Sequence, residues 1–284
     1  MIAELKYSSS CERYVSEISE TISELRKFKD KPPILMLSGG VDSLLLGAIT
    51  RKKHKNFESI TVAGLNTEDI KIARQSAYQL GIDNTIIQIS LDEIFDNLHL
   101  AKGKDIKTVF SLQAYLMLVL AFKKFSVSGF DLLMGTGGDN LLGSTDSFMY
   151  LEANKIAKEL GISKNEARTI CKQRYFQKSI SAKKPSGAGH LFRFAAVEAG
   201  GHPVQPFKNE RLFWVNDLPY EFARPDKKLF NRKAISSLGF NSKMAKRITM
   251  QQGTGLYKLI QRRLMSETGA QNPNAAVPII LGEE

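Results

Sequence analysis

The chain has 284 residues, 43% of them hydrophobic, enough for one large domain or for one domain with an extension. No stretch approaches the roughly 20 apolar residues of a membrane span. The first residues lack the apolar run of a secretory signal, and the two cysteines, Cys11 and Cys171, exclude a disulfide framework and a Cys-x-x-Cys zinc site. No membrane partner is expected, and a cytoplasmic location is.

Residues 9–29 read as a packing helix: Ser9 and Ser10 offer caps, and Tyr14, Ile18, Ile22 and Leu25 recur at helical spacing. Lys31-Pro32-Pro33 ends it. Residues 34–37 read as the first core strand and 42–51 as a helix, closed by Lys52-Lys53-His54-Lys55, cations suited to a helix C-terminus. Between strand and helix stands Ser38-Gly39-Gly40-Val41-Asp42-Ser43. Two glycines allow a sharp turn and a close ligand approach. Free N–H groups at the helix start attract an anion. Asp42 would repel a bare phosphate but not one carrying Mg²⁺. The stretch reads as a site for a magnesium–polyphosphate.

Strands follow at 59–65 and 85–89, separated by a helix that ends at Leu80 and Gly81. Ser90-Leu91-Asp92-Glu93 is a capping box. A charged break at 101–107 precedes a strongly apolar helix, 109–125, and a fourth strand, 130–134. Alternating strands and helices argue an α/β fold with a doubly wound parallel sheet, whose ligands bind beyond the C-terminal strand ends. The fourth strand ends in a second glycine turn, Gly135-Thr136-Gly137-Gly138-Asp139-Asn140. If strands one and four are neighbours, Asp42 and Asp139 converge as a Mg²⁺ pair.

The first turn resembles the PP-loop of ATP pyrophosphatases of the adenine-nucleotide α-hydrolase type. It is not a Walker A loop, which ends in Gly-Lys-Ser/Thr. The second turn, read as Gly-x-Gly-x-Asp-x-Leu-x-Gly, is similar to the second motif of the asparagine synthetase C-terminal domain. That family includes β-lactam-forming and lasso-peptide-cyclising synthetases. Order and spacing agree over about residues 30–145. Pro206-Phe207, Leu218-Pro219, Lys227-Lys228-Leu229 and Gly253-Thr254-Gly255 resemble the family's helical end. The resemblance implies that ATP is split between its α and β phosphates and that AMP passes to a substrate oxygen. It implies that Ser38, Gly39, Gly40, Asp42 and Ser43 bind pyrophosphate and that Asp42 and Asp139 hold Mg²⁺. Met36, Ala63, Gly135 and Gly137 complete the expected ATP-binding set.

Two departures stand out. Thr136 and Asn140 replace the glutamates of the family's Gly-Glu-Gly-x-Asp-Glu, so position 136 cannot act as a carboxylate base. The family's late lysine, counted back from Gly253, falls on Arg247, with Lys246 beside it; either cation could stabilise phosphate charge. Arg247, Lys246, Lys228 and Thr136 are the candidate catalytic residues. About 33 residues precede the first strand and no Cys follows Met1, so the family's glutaminase domain is not expected and ammonia or an amine would come from elsewhere.

The net charge of +11 is unevenly placed. Residues 1–150 hold 17 Lys/Arg against 18 Asp/Glu; residues 151–284 hold 23 against 11. Such asymmetry suits nucleic acid, or a basic face that also serves ATP and pyrophosphate. Residues 146–176 read as helical, with Ser163–Glu166 as a second capping box. Lys172, Arg174, Lys178, Lys183 and Lys184 surround Tyr175 and Phe176 beside an expected mobile loop, 179–190. That pattern suits a nucleic-acid channel, a lid or a solvated loop. Helices are expected at 208–216, 227–238 and 256–266, with a basic run at 243–247 and an extended tail from Gln271.

The sequence thus divides into an N-terminal helical segment (1–30), a PP-loop core (31–150) and a helical basic extension (151–284). It leaves the oligomeric state open. The expected activity is ATP-dependent adenylation of a small-molecule or nucleobase acceptor, followed by transfer of an amine or ammonia and formation of a C–N bond. The alternatives are a DNA- or tRNA-modifying enzyme of the same chemistry and a non-catalytic nucleotide-binding protein.

Overall fold

The computed structural model describes residues 2–64, 68–142, 146–163, 166–167, 169–171, 188–218, 228–245 and 254–283. Helix α1 (Ile2–Leu25) starts earlier than its serine caps suggest and buries Tyr14, Ile18 and Ile22, the residues that share one face. Then come β1 (Ile34–Met36), α2 (Val41–Lys53), β2 (Glu58–Ala63), α3 (Glu68–Leu80) and β3 (Asp83–Gln88). The Ser90–Glu93 box caps α4 (Leu91–Asp96), with both of its reciprocal bonds present. After α5 (Val109–Phe125) and β4 (Asp131–Leu133), the chain forms α6 (Gly138–Leu142) and α7 (Asp146–Leu160). The second box is also made: Ser163 N–H donates to Glu166 at 2.9 Å, and Glu166 N–H donates back to Ser163 Oγ at 3.2 Å. Helix α8 (Ala188–Glu198) leads to a strand the sequence reading lacks, β5 (His202–Val204).

The five strands are parallel, in the order β3-β2-β1-β4-β5. This is the expected α/β architecture. The chain winds outward from β1 through β2 to β3, then returns to β1's other side with β4 and β5. The order therefore reverses between β1 and β4, where such sheets open a crevice at their C-terminal ends. The central strands are apolar on both sides because both faces are covered: Ile34, Leu35, Leu132 and Leu133 are all buried. On one face the nearly all-apolar α5 supplies Leu112, Leu116 and Val119. On the other, α2 supplies Leu44, Leu45 and Ile49, and α1 closes over it.

Several expectations change. The helix at 208–216 is 3₁₀ in character, in two pieces, Pro206–Lys208 and Glu210–Asp217. Residues 188–190 of the expected loop already belong to α8, and the remainder of that loop lies outside the described residues, with the basic–aromatic run at 172–178. Helix α9 (Leu229–Ser237) and helix α10 (Tyr257–Thr268) agree with expectation within two residues at each end. The tail is not extended: it forms α11 (Ala276–Leu281) and buries Ala276, Val277 and Leu281. Pro278 lies in its first turn, where a proline forfeits no intrahelical bond.

The sheet end away from the crevice is pinned by a buried ion pair. Arg26 Nε lies 3.2 Å from Asp131 Oδ2. The Asp131 carboxylate also accepts from the N–H groups of Lys27 (2.9 Å) and Phe28 (3.0 Å). Arg26 Nη1 stands 3.2 Å from His54 Nε2, and its Nη2 donates to the carbonyls of Phe28 and Lys31. The chain leaving α1 is thereby fastened to the start of β4.

Candidate active site

The crevice begins with the turn after β1. Gly39 has φ +74°, a conformation that favours glycine, and a Cβ there would meet Ile72 Cγ2 of α3 at 2.7 Å. Gly40 occupies the N-cap of α2, followed by Asp42 and Ser43 in the first turn. Ser43 Oγ donates to the Gly40 carbonyl at 3.0 Å, accepts from Ser38 N–H at 3.3 Å and lies 3.1 Å from Ser38 Oγ. The loop is thus closed on itself by its own serines, with Ser38 at the exposed rim and Ser43 buried.

The turn after β4 packs directly on this one. A Cβ on Gly135 would lie 3.1 Å from Ser43 N, and one on Gly138 would lie 2.7 Å from both Cγ and Oδ2 of Asp42. This contact needs glycine: the carboxylate of the first turn rests against the backbone of the second. Asp139 follows on α6, and the two aspartates meet at a lysine. Lys228 Nζ lies 2.7 Å from Asp42 Oδ2 and 2.7 Å from Asp139 Oδ1. The side chains of Asp42 and Lys228 are 11% and 10% exposed, whereas Asp139 is 47% exposed, so the cluster opens to solvent on the Asp139 side.

Lys228 is delivered by an unusual backbone. It stands just before α9 with φ 49° and ψ 41°, the left-handed region that costs a non-glycine residue about 1–2 kcal/mol. Packing holds it there: Phe230 is wedged against Tyr14 of α1, ring centroids 4.9 Å apart, and edge-on to Trp214 at 6.5 Å. One turn along α9 from Lys228, Asn231 donates from Nδ2 to Asp42 Oδ1 at 2.8 Å. Both Asp42 oxygens are therefore engaged, one by an amide and one by an ammonium.

Burial raises the Asp42 carboxyl, Lys228 pulls it down and Asp139 pushes it up again, with a net upward result. Burial alone would discharge Lys228, but the two carboxylates outweigh it and hold the ammonium above the usual lysine range. Tyr14, fully buried beneath, is kept neutral first by burial and then by the negative charge of Asp42.

The donor set fits Mg²⁺. Two hard carboxylate oxygens face a single point, and among the described residues no group of three or more His, Cys, Asp or Glu side chains could hold a metal. One or two carboxylates with phosphate oxygens and water completing the shell is the usual arrangement for Mg²⁺.

On the β5 side, Gln205 Nε2 donates to Thr136 Oγ1 at 2.6 Å, so a neutral amide–hydroxyl pair stands where the family motif has a glutamate. Gly137, with φ +98°, lies against Phe207 and Lys208. On the β2 side, half-buried Met36 and buried Ala63 end their strands beside the first turn. Thr254 packs on the residue after β2: a Cβ on Gly64 would lie 2.1 Å from the Thr254 carbonyl oxygen, and Thr254 Oγ1 accepts from the buried Gln113 of α5. Lys246 and Arg247 lie outside the described residues. Asn231, Gln205, Gly138 and Gln113 were not singled out from sequence. For Asn231 a signal existed, its i+3 spacing from Lys228.

The family model for asparagine synthase matches residues 20–255 of this chain. Among solved structures, NMN synthetase from Francisella tularensis is 13% identical, with a TM-score of 0.33, over 78% of this chain and 95% of that one. No curated protein matches.

Proposed function

We propose, from the premise that this chain belongs to the asparagine synthase family of ATP-using PP-loop synthetases, that it adenylates a substrate oxygen and passes the activated group to an amine. The observation that carries this reading is the meeting of Asp42 and Asp139 at one point beside the Ser38–Ser43 loop. ATP lies with its adenosine at the ends of β1 and β2, against Met36 and Ala63, and its phosphates along the first turn. The acceptor then occupies the β4–β5 side, facing Thr136 and Gln205.

An acceptor oxygen attacks the α-phosphorus, the α–β bridging bond breaks and pyrophosphate leaves into the loop. Ser38, Ser43 and the first-turn N–H groups of α2 receive the departing charge, an electrostatic role for preorganised dipoles. Asp42 and Asp139 would hold Mg²⁺, which would supply charge neutralisation to the phosphate oxygens. Lys228, Lys246 and Arg247 are the cations assigned to the pyrophosphate and the adenylate. The amine nitrogen then attacks the activated carbon, AMP departs and a C–N bond remains. Thr136 acts through position and hydrogen bonding, since it has no carboxylate with which to take a proton.

Product analysis tests this. Incubation with ATP, Mg²⁺ and panels of carboxylic acids and amines is expected to yield AMP and pyrophosphate, and ADP with phosphate would overturn the mechanism. ATP binding with no turnover across the panel would favour a nucleotide-binding role. The positive charge of the second half favours, as a second reading, a nucleic-acid base as acceptor. Salt-sensitive tRNA or DNA binding, weakened by neutralising Lys183 and Lys184, is its signature.

A further inference from the structure

We infer that Lys228 is a resident cation: its ammonium occupies the point that the nucleotide's metal must take, so the nucleotide-free protein refuses a divalent ion and accepts one only together with the triphosphate. The inference rests on reading Asp42 and Asp139 as the ligands of that metal.

Three observations carry it. First, the contact is with both acids at once. Nζ sits 2.7 Å from one oxygen of each carboxylate. A metal ion bridging those oxygens and an ammonium bridging them are mutually exclusive, because both fill the same few ångströms of space and like charges repel.

Second, the other Asp42 oxygen is already engaged. Asp42 Oδ1 is tied to Asn231 Nδ2 at 2.8 Å. Gly138 is backed against the carboxylate, a Cβ there lying 2.7 Å from Cγ, so the Asp42 group is bounded on that side as well. Asn231 is thus a positioning residue that fixes which Asp42 oxygen faces the shared point.

Third, Lys228 is held by a left-handed backbone at the start of α9, yet its flexible stem lets the ammonium travel. The described residues offer two carboxylates as the protein's share of the metal shell. Lys228 balances one of those two negative charges, which stand close together with Asp42 deeply buried. Phosphates entering along the loop supply both the remaining metal ligands and a new anionic partner for the ammonium. Lysine and metal then change places, and Lys228 moves from the acids to a phosphate oxygen. The exchange moves charges only; no covalent bond forms or breaks.

The test reads metal binding without turnover, using Mn²⁺ alone as probe and electron paramagnetic resonance to count the free ion. Wild-type protein without nucleotide is expected to bind Mn²⁺ at least about tenfold more weakly than Lys228→Met, because removing one partner leaves a buried charge uncompensated. Equal affinity in the two proteins would overturn the inference. Should Lys228→Met fail to fold, the wild type decides alone. Millimolar Mg²⁺ is expected to leave its melting temperature unchanged, while Mg²⁺ with α,β-methylene-ATP raises it; an equal rise with Mg²⁺ alone would overturn the inference. An ADP-forming reaction would overturn the proposed function and leave this measurement standing.

Discussion

Asp42 and Asp139, from turns far apart in the chain, reach the same atom: Lys228 Nζ, 2.7 Å from each. Parallel pairing of β1 with β4 makes the meeting possible, because it sets the two glycine turns side by side at one end of the sheet. The absence of a side chain at Gly138 completes it.

Gly138→Ala tests that last point. The added methyl would press on the Asp42 carboxylate from 2.7 Å, while position 138 needs no left-handed backbone. The variant is expected to fold with a denaturation midpoint near wild type and to lose AMP formation by about 100-fold, the scale on which a 1 Å misplacement is felt. Product assays beside a denaturant melt separate the two effects.

At the other sheet end, Arg26→Met is expected to cost about 3–5 kcal/mol of stability, since it strands the buried Asp131 carboxylate without its cation. Asp131→Leu strands Arg26 and the N–H groups of Lys27 and Phe28 together, and is expected to cost at least as much. Urea melts give the values. Activity per folded molecule is expected to hold, because this network lies at the opposite end of the strands from the crevice.

His54 sets a pH dependence of stability. Burial, then the charges of Arg26 and Lys53, depress its pKa below the usual value near 6.5. The unfolded chain therefore binds this proton more readily than the fold does, and stability falls as pH drops below about 6.5 toward the folded-state value. His54→Gln is expected to flatten that part of the profile. Thermal melts between pH 7 and pH 5 with unchanged slopes in the variant would contradict the assignment.

Four of the five strands and both turns were legible because each strand is an apolar run stopped by glycine or a polar cap. β5 was not, for a physical reason. His202-Pro203-Val204 is three residues around a proline, and proline argues against a strand unless the strand is an edge. Here it is one: the ladder uses His202 N–H and the Val204 carbonyl, so the donor that Pro203 lacks is never required. The tail from Gln271, expected to be extended, instead forms α11 with Pro278 in its first turn. Asn231 offers only its i+3 spacing from Lys228, and Gln205 offers no signal. Their roles emerge only once α9 and β5 are placed against the two turns, which depends on contacts such as Phe230 with Tyr14 that no local pattern encodes.

The most direct test of the account is a crystal structure with Mn²⁺ and α,β-methylene-ATP, read by the anomalous signal of the metal. One peak is expected within about 2.3 Å of both an Asp42 and an Asp139 oxygen, bridged to the phosphates over Ser38–Ser43, with Lys228 Nζ moved onto a phosphate oxygen. A metal bound elsewhere on the nucleotide, with Lys228 still between the two aspartates, would contradict it.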